Sequence, residues 1–269
     1  MQQRTQRPKL GQNFLVSPTA QAAIADAVGN PAARTVVEIG PGRGAITALL
    51  AGRAQRLVAI ELDRELAPRL REQFAGRTSV EVVEQDVLET DFSALRAGEG
   101  EKLLVVGNLP YYITSDILLR LFLYAAEIER AVVMVQREVA DRIAASPGTR
   151  DYGVLTVTAQ MYARVEKLMT LPPGAFSPPP QVYSTVLRLT MAPRLGELGI
   201  EPEGFLRFIR GCFAQKRKML ARNLRNAGFE AQHVTLAMER CCVKASARAE
   251  ELGVETLARL WRELRPLNG

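Results

Sequence analysis

Short apolar runs recur along residues 35–137, and stretches with helical spacing of apolar positions separate them. The runs are rich in Val, Ile and Leu, which is typical of strands buried on both faces of a parallel sheet. They predict strands at residues 35–39, 57–61, 80–85, 102–107 and 131–136. Helical periodicity at residues 64–74 and 115–124 completes the pattern of a doubly wound α/β sheet.

Two further strand-like runs lie at residues 154–162 and 182–189, and they bring the predicted sheet to seven strands, most of them parallel. Between these runs, residues 171–180 are rich in proline. Proline removes a backbone donor and fixes the backbone, so this connector is neither a helix nor a central strand.

The chain is expected to have two parts. Residues 193–204 are rich in Gly and Pro and predict a linker, and helical periodicity follows from about residue 205 to residue 264. We therefore expect an N-terminal arm with the α/β domain at residues 1–192, and a small α-helical domain at residues 193–269.

The first C-terminal helix is expected to be amphipathic and basic. Its apolar face carries Phe205, Phe208, Ile209, Cys212, Phe213, Leu220 and Leu224. Its opposite face carries Arg207, Arg210, Arg217, Lys218, Arg222 and Arg225. Lys216 falls on the apolar stripe, so either the helix bends there or the side chain extends to the edge of the stripe.

Charge and composition narrow the function. The 269 residues carry a net charge of +6, and no acid interrupts the basic residues between Arg207 and Arg225, which favours RNA phosphates as partner. His233 is the only histidine and has no partner at ligand spacing, so we expect no metal site and no histidine-dependent nucleophile. Three cysteines and no membrane-spanning apolar stretch favour a reducing, cytoplasmic setting.

The sequence Asn-Leu-Pro-Tyr at residues 108–111 directly follows the predicted strand at 102–107. An amide oxygen, backbone carbonyls and an aromatic ring at a sheet edge can accept hydrogen bonds from a planar amino group and stack on its ring. The N6 amino group of adenine is a planar amino group of this kind, and the adenine ring can stack on the aromatic side chain. Asn108, Pro110 and Tyr111 are therefore the candidate catalytic residues.

A second candidate site is the glycine loop at residues 40–44, which follows a strand and precedes a helix. Gly40 lets a ligand approach the backbone, and Glu61 and Asp86 follow the next two strands. Nicotinamide dehydrogenases share this spacing, but the loop lacks the G-x-G-x-x-G phase. S-adenosylmethionine has ribose and adenine without a pyrophosphate, so two carboxylates suit it better than NAD.

Seven motifs occur in an order that resembles a known family. They are KLGQNFL at 9–15, VEIGPG at 37–42, IELD at 60–63, NLPY at 108–111, QREVADR at 136–142, YGVL at 152–155 and FSPPPQV at 176–182. The set is similar to the ribosomal RNA adenine N6,N6-dimethyltransferases of the bacterial KsgA (RsmA) type.

The resemblance implies a class I S-adenosylmethionine-dependent methyltransferase with a Rossmann-like sheet. It implies dimethylation of N6 of two adjacent adenosines near the 3′ end of 16S rRNA, within the 30S subunit or its precursor. Nothing in the sequence suggests an obligate dimer, so we expect a monomer without a membrane partner.

The resemblance also implies residue roles. The cofactor contacts would come from Asn13, Leu15, Gly40, Glu61, Asp86 and Asn108, with Gly40 at the methionine part, Glu61 at the ribose and Asp86 at the adenine. The target adenine would bond to Asn108 and the Pro110 carbonyl, stack on Tyr111 and lie under Phe176. The RNA would contact Arg207, Arg210, Arg217, Lys218 and Arg222.

Two positions depart from the family pattern, and other functions stay open. Tyr112 stands where the family usually has Asn, and Tyr183 where it often has Asp.

A large-subunit rRNA adenine methyltransferase of the macrolide-resistance type is the nearest alternative. A DNA adenine methyltransferase, a non-catalytic rRNA-binding assembly factor and a dehydrogenase fit the residues less well.

Overall fold

The computed structural model describes residues 12–265, so the first three residues of the KLGQNFL motif lie outside the described part. The strands are β1 (Phe14–Leu15), β2 (Thr35–Ile39), β3 (Arg56–Glu61), β4 (Val80–Glu84), β5 (Leu103–Asn108), β6 (Ile128–Gln136), β7 (Ala163–Leu171), β8 (Phe176–Ser177) and β9 (Ser184–Met191). The helices are α1 (Pro18–Ala27), α2 (Ala45–Leu50), α3 (Leu66–Gln73), α4 (Thr114–Leu123), α5 (Arg137–Ile143), α6 (Val154–Tyr162), α7 (Leu195–Leu198), α8 (Pro202–Cys212), α9 (Leu220–Asn226), α10 (Ala231–Arg240) and α11 (Val254–Leu264).

Seven strands form one sheet in the order β4-β3-β2-β5-β6-β9-β7. The first five run parallel, and β9 is antiparallel to both of its neighbours. The predicted mostly parallel, Rossmann-like sheet of seven strands is therefore confirmed. From β2 the chain adds β3 and β4 on one side, and it then crosses over to add β5 and β6 on the other side. This reversal of strand order opens a crevice at the carboxyl ends of β2 and β5.

Residues 154–162 were predicted as a strand and form α6 instead, while the seventh strand is β7, which begins at the next residue. Helix α6 lies between the sheet and the C-terminal helices, and most of its side chains are buried. A helix buried all round shows no amphipathic period, and its Val and Thr residues imitate a buried strand.

The predicted linker and the predicted long basic helix also need correction. Residues 193–204 contain α7 and the first turn of α8. The basic helix is two helices, α8 and α9, joined by a turn at residues 213–219. The buried amide of Asn223 fixes this turn by donating to the carbonyls of Cys212 (2.7 Å) and Gln215 (3.1 Å). The position of Lys216 on the apolar stripe of the predicted helix had indicated that the helix is interrupted there.

The two faces of the sheet bury separate hydrophobic clusters. Alternate strand residues such as Val36 and Val106 pack against α1, α2 and α3. Their neighbours Val37 and Val105 belong to a larger cluster that continues through α4 and α6 into the C-terminal helices. None of the helices between residues 12 and 265 is long and apolar enough to cross a membrane.

Tyr152 connects the sheet side of this larger cluster with the C-terminal helices. It lies in the loop before α6, is fully buried, and packs against Phe213 at the end of α8 with 6.2 Å between ring centroids. Its hydroxyl has no hydrogen-bond partner among residues 12–265. The contribution of Tyr152 to stability should therefore come from its ring.

We expect Tyr152→Ala to lower the free energy of unfolding by about 3–5 kcal/mol, because it removes a large buried ring. Tyr152→Phe keeps the ring and should change the free energy of unfolding by less than about 1 kcal/mol. Urea unfolding of the full chain measures both values, and equal losses in the two variants would contradict a role in packing.

Candidate active site

The carboxyl ends of β2 to β5 surround an open cleft, which lies where parallel α/β sheets bind their ligands. Seven residues predicted from the sequence line it: Asn13, Gly40, Glu61, Asp86, Asn108, Pro110 and Tyr111. The apolar side chains of Ile39, Ile60, Val87 and Ile113 line it as well. The topology thus brings the candidate cofactor and base-binding residues into one site.

The close approach of β2 and β5 places the two candidate sites side by side. Gly107 lies opposite Ile39, and a Cβ atom at position 107 would lie 2.8 Å from the Ile39 carbonyl oxygen. Any larger residue would push the strands apart. As a result Gly40, which opens the glycine loop with a φ of 64°, lies next to Asn108.

Glu61 is clamped by backbone donors at the end of β3. The Gly42 N–H donates to Oε2 at 3.1 Å, and the Asp63 N–H donates to Oε1 at 2.9 Å. Burial raises the pKa of this carboxyl, and the two backbone bonds oppose the rise. Each oxygen accepts one hydrogen bond from the chain and keeps a lone pair for a ligand hydroxyl.

Glu38 lies within β2, two residues before the glycine loop, and is buried. The Thr47 hydroxyl donates to its Oε2 at 2.7 Å. Burial raises the pKa of Glu38 to about 7, against the effect of the Thr47 bond, and nearby Glu61 raises it further. Glu38 was not among the predicted site residues, although a single acid within an apolar strand was a usable signal.

The amide of Asn108 is oriented by the N-terminal arm. Its Nδ2 donates to the Asn13 carbonyl at 2.9 Å. The side-chain amide therefore has a fixed orientation, and Oδ1 remains as an acceptor. This is the property that recognition of a planar amino group requires.

The two carbonyls that follow Asn108 differ in their use. The Pro110 carbonyl accepts from the Thr114 hydroxyl at 2.9 Å and from the Ile113 N–H at 3.3 Å, because a helical turn starts there. The Leu109 carbonyl accepts no hydrogen bond from the described residues. The Leu109 carbonyl thus has more free capacity as a second acceptor than the Pro110 carbonyl, whose predicted role stays a prediction.

The ring of Tyr111 is held in place from β9. Its hydroxyl lies 2.6 Å from the hydroxyl of Ser184, a hydrogen bond that either group can donate. Burial raises the pKa of Tyr111, and the Ser184 bond opposes that shift. Sequence reasoning missed Ser184, because its proximity depends on how β9 returns to the sheet.

The N-terminal arm closes one side of the cleft. Phe14 lines the cleft and lies beneath the Arg43 guanidinium, 4.3 Å from the ring centroid. Leu15 pairs with Phe176 in a two-stranded sheet, β1 with β8. Both are buried and neither lines the cleft, so their predicted ligand contacts stay predictions.

The five basic residues predicted to contact RNA lie on three segments. Arg207 and Arg210 lie on α8, Arg217 and Lys218 in the turn, and Arg222 on α9. All five are exposed, and no carboxylate of residues 12–265 lies within ion-pair distance of them. They form a set of uncompensated cations rather than one helix face.

A family model described as ribosomal RNA adenine dimethylase matches residues 3–265. This chain belongs to the ribosomal RNA adenine dimethylase family. Ribosomal RNA small subunit methyltransferase A of Acidobacterium capsulatum is 68% identical over 96% of this chain and 91% of the relative. The protein of the same name from Koribacter versatilis is 52% identical over 96% of this chain and 94% of the relative.

Solved structures of two proteins are similar to this adenine dimethylase. A dimethyladenosine transferase from Plasmodium falciparum superposes with a TM-score of 0.80 at 22% identity, over 93% of this chain and 96% of that one, and it supports the fold. The 23S rRNA methyltransferase ErmE superposes with a TM-score of 0.69 at 29% identity, over 94% of this chain and 99% of that one.

The raised pKa of Glu38 predicts a pH-dependent cost to stability. Between about pH 4.5 and pH 7 the folded dimethylase binds a proton at Glu38 that the unfolded chain has released. The free energy of unfolding therefore falls as the pH rises through this window, by up to about 3 kcal/mol. Glu38→Gln lacks this contribution and keeps an acceptor for Thr47.

Urea unfolding of wild type and Glu38→Gln across this pH range measures the effect. The variant should gain stability relative to wild type as the pH rises, and the gain should level off above the pKa of about 7. Stability curves that stay parallel from acid to neutral pH would contradict the assignment.

Proposed function

We propose that this chain transfers methyl groups from S-adenosylmethionine to N6 of two adjacent adenosines near the 3′ end of 16S rRNA, during biogenesis of the small ribosomal subunit. The observation that carries the proposal is the Asn108 amide, whose NH₂ group is used by Asn13 and whose oxygen is left for an incoming amine. The names of the relatives at 68% and 52% identity support the small-subunit substrate.

The donors and acceptors of the cleft fit S-adenosylmethionine. Two carboxylates, Glu61 and Asp86, lie at neighbouring strand ends, as ribose hydroxyls and an adenine amino group require. One oxygen of Asp86 already accepts the Leu88 N–H at 2.9 Å, so this carboxylate is fixed in direction. Gly40 offers bare backbone to the methionine part, and Asn13 closes the arm side.

The protein mainly has to orient the amine. When bound, S-adenosylmethionine would supply an electrophilic methyl carbon on a sulfonium sulfur: the N–CH₃ bond forms as the S–CH₃ bond breaks, the sulfur leaves as a neutral thioether, and the alkylated amine loses a proton to water. In the first transfer, Asn108 Oδ1 and the Leu109 carbonyl, in place of the Pro110 carbonyl, accept the two N6 hydrogens, and in the second transfer one of them accepts the remaining hydrogen. These bonds favour a tetrahedral nitrogen whose lone pair is not delocalised into the ring. Tyr111 stacks on the base and fixes its plane. Positioning and fixed dipoles therefore provide most of the rate, without a histidine.

The uncompensated cations on α8, α9 and their turn support binding of an RNA. They neutralise phosphates, and the binding energy offsets the few kcal/mol needed to take an adenine out of its stack. We propose that this surface contacts the rRNA of the 30S subunit or its precursor. We further propose that residues 193–269 provide most of this surface and that the protein acts as a cytoplasmic monomer.

A large-subunit substrate is the alternative, and the relatives at 68% and 52% identity favour the small subunit over it, although ErmE shares the fold and 29% of the aligned residues. The decisive experiment incubates the purified protein and labelled S-adenosylmethionine with unmethylated 30S subunits, and separately with large-subunit RNA. Mass spectrometry of the digested RNA should show dimethyladenosine at two adjacent positions near the 3′ end of 16S rRNA. Transfer to large-subunit RNA alone would support the alternative, and binding without transfer would support a non-catalytic assembly factor.

Asn108→Ala should affect turnover more than cofactor binding. The variant loses an acceptor for the amine, and we expect kcat to fall about 100- to 1,000-fold, as for the loss of one preorganised polar group in an active site. The Kd for S-adenosylmethionine, measured by calorimetry, should change less than about fivefold. Asn30→Ala, in an exposed turn, is the control and should leave both unchanged. Wild-type kcat in Asn108→Ala would refute this mechanism.

Arg217→Ala should reduce the salt dependence of RNA binding. Removal of one phosphate contact lowers the magnitude of the slope of log K against log salt by about 0.7–0.9. The control is Arg240→Ala, because Arg240 already pairs with Glu263 at 2.9 Å. Filter binding to 30S subunits over a salt series gives the slopes, and an equal change in both variants would argue against the proposed surface.

A further inference from the structure

Tyr183 is a large aromatic residue that the carboxyl edge of the sheet leaves open to solvent, with 47% of its surface exposed. It directly precedes Ser184, the residue that holds the Tyr111 hydroxyl. Its carbonyl accepts the Arg137 N–H at 2.9 Å, which fixes the backbone of this segment to the start of α5. A solvent-accessible ring therefore stands on fixed backbone, one residue before the side chain that holds Tyr111 of the proposed target-base pocket.

The side chain of Arg137 lies over this ring, with the guanidinium carbon 5.3 Å from the ring centroid. Arg137 is exposed, and within residues 12–265 no carboxylate reaches it at ion-pair distance. The pair thus presents an aromatic plane, a planar cation and an uncompensated positive charge at one place. Neither residue lines the cofactor cleft, so the exposed pair lies outside the proposed cofactor site.

An unpaired nucleotide has the matching chemistry. Its base offers a π-face that stacks on Tyr or Arg whatever its sequence, and its phosphate carries the opposite charge. The proposed reaction creates such a nucleotide, because taking one adenine out of the stack deprives its neighbour of a stacking partner.

We propose that Tyr183 and Arg137 form a stacking site for the nucleotide that adjoins the target adenosine. Tyr183 and the Arg137 guanidinium replace the lost base stacking, and the charge of Arg137 attracts the adjoining phosphate. This site rests on the proposed function, since it serves an RNA whose adenine has been extruded. With two adjacent target adenosines, one occupies this site while the other is in the pocket.

Steady-state kinetics on unmethylated 30S subunits test the site. Tyr183→Leu keeps an apolar side chain but loses the plane, and kcat/KM for the subunit should fall about tenfold. Tyr183→Phe keeps the aromatic ring, and its kcat/KM should stay within about twofold of the wild-type value. The kcat/KM of Arg137→Gln should decrease as much as that of Tyr183→Leu, because the planar cation is lost. Leu236→Ala, an equally exposed position on α10, is the surface control and should match wild type.

Two further measurements separate this site from a purely structural role. The Kd for S-adenosylmethionine and the Tm should be unchanged in all four variants, because the Arg137–Tyr183 hydrogen bond is between backbone atoms. A photoreactive phenylalanine analogue at position 183 should crosslink to the nucleotide on one side of a methylated adenosine. The same analogue at position 123, another exposed position, should not.

The outcomes distinguish this site from the proposed function. Absence of adenine methylation by wild type would overturn the proposed function and, with it, the role of the site. Normal methylation by both wild type and Tyr183→Leu, or crosslinks that lie far from the methylated adenosines, would overturn the stacking site alone. A Tyr183→Phe variant as slow as Tyr183→Leu would also overturn it, because the plane would then not be what matters.

Discussion

The close contact between β2 and β5 is the constraint on which the rest of the site depends. Gly107 lets the two strands approach at Ile39, and this approach sets the glycine loop and Asn108 at the same sheet edge. The two regions lie far apart in sequence, and we propose that they serve different ligands. A methyl donor and a methyl acceptor have to come within bonding distance of each other. The spacing of these two strands therefore determines whether methyl transfer can occur.

Around this contact, backbone groups fix the polar side chains. Glu61 is held by two N–H groups and Asn108 by a carbonyl, and each keeps an acceptor that the chain does not use. Burial of Glu38 and Glu61 raises their pKa values, so the site is assembled at a cost in stability. The large hydrophobic cluster that extends from the sheet into the C-terminal helices offsets that cost.

The sequence predicted the parallel part of the sheet, because apolar runs followed by Gly or Asn are local signals. Six of the seven predicted residues of the cleft end or follow an apolar run, whereas Asn13 was predicted from the family resemblance. The prediction failed at α6, whose burial on all sides removes the helical period, and at the break between α8 and α9, which depends on the distant amide of Asn223. Ser184 was missed because its neighbours come from tertiary structure.

The short pairing of β1 with β8 has a consequence for how the protein folds. Phe14 pairs with Ser177, and Asn13 reaches Asn108, so the beginning of the chain finds its partners only after most of the sheet sequence has been synthesised. Contacts of such large sequence separation form slowly, because the intervening chain must be ordered first. A partly synthesised chain can therefore form the β2–β5 core before its cleft is complete. Competence to bind ligands arises late in folding.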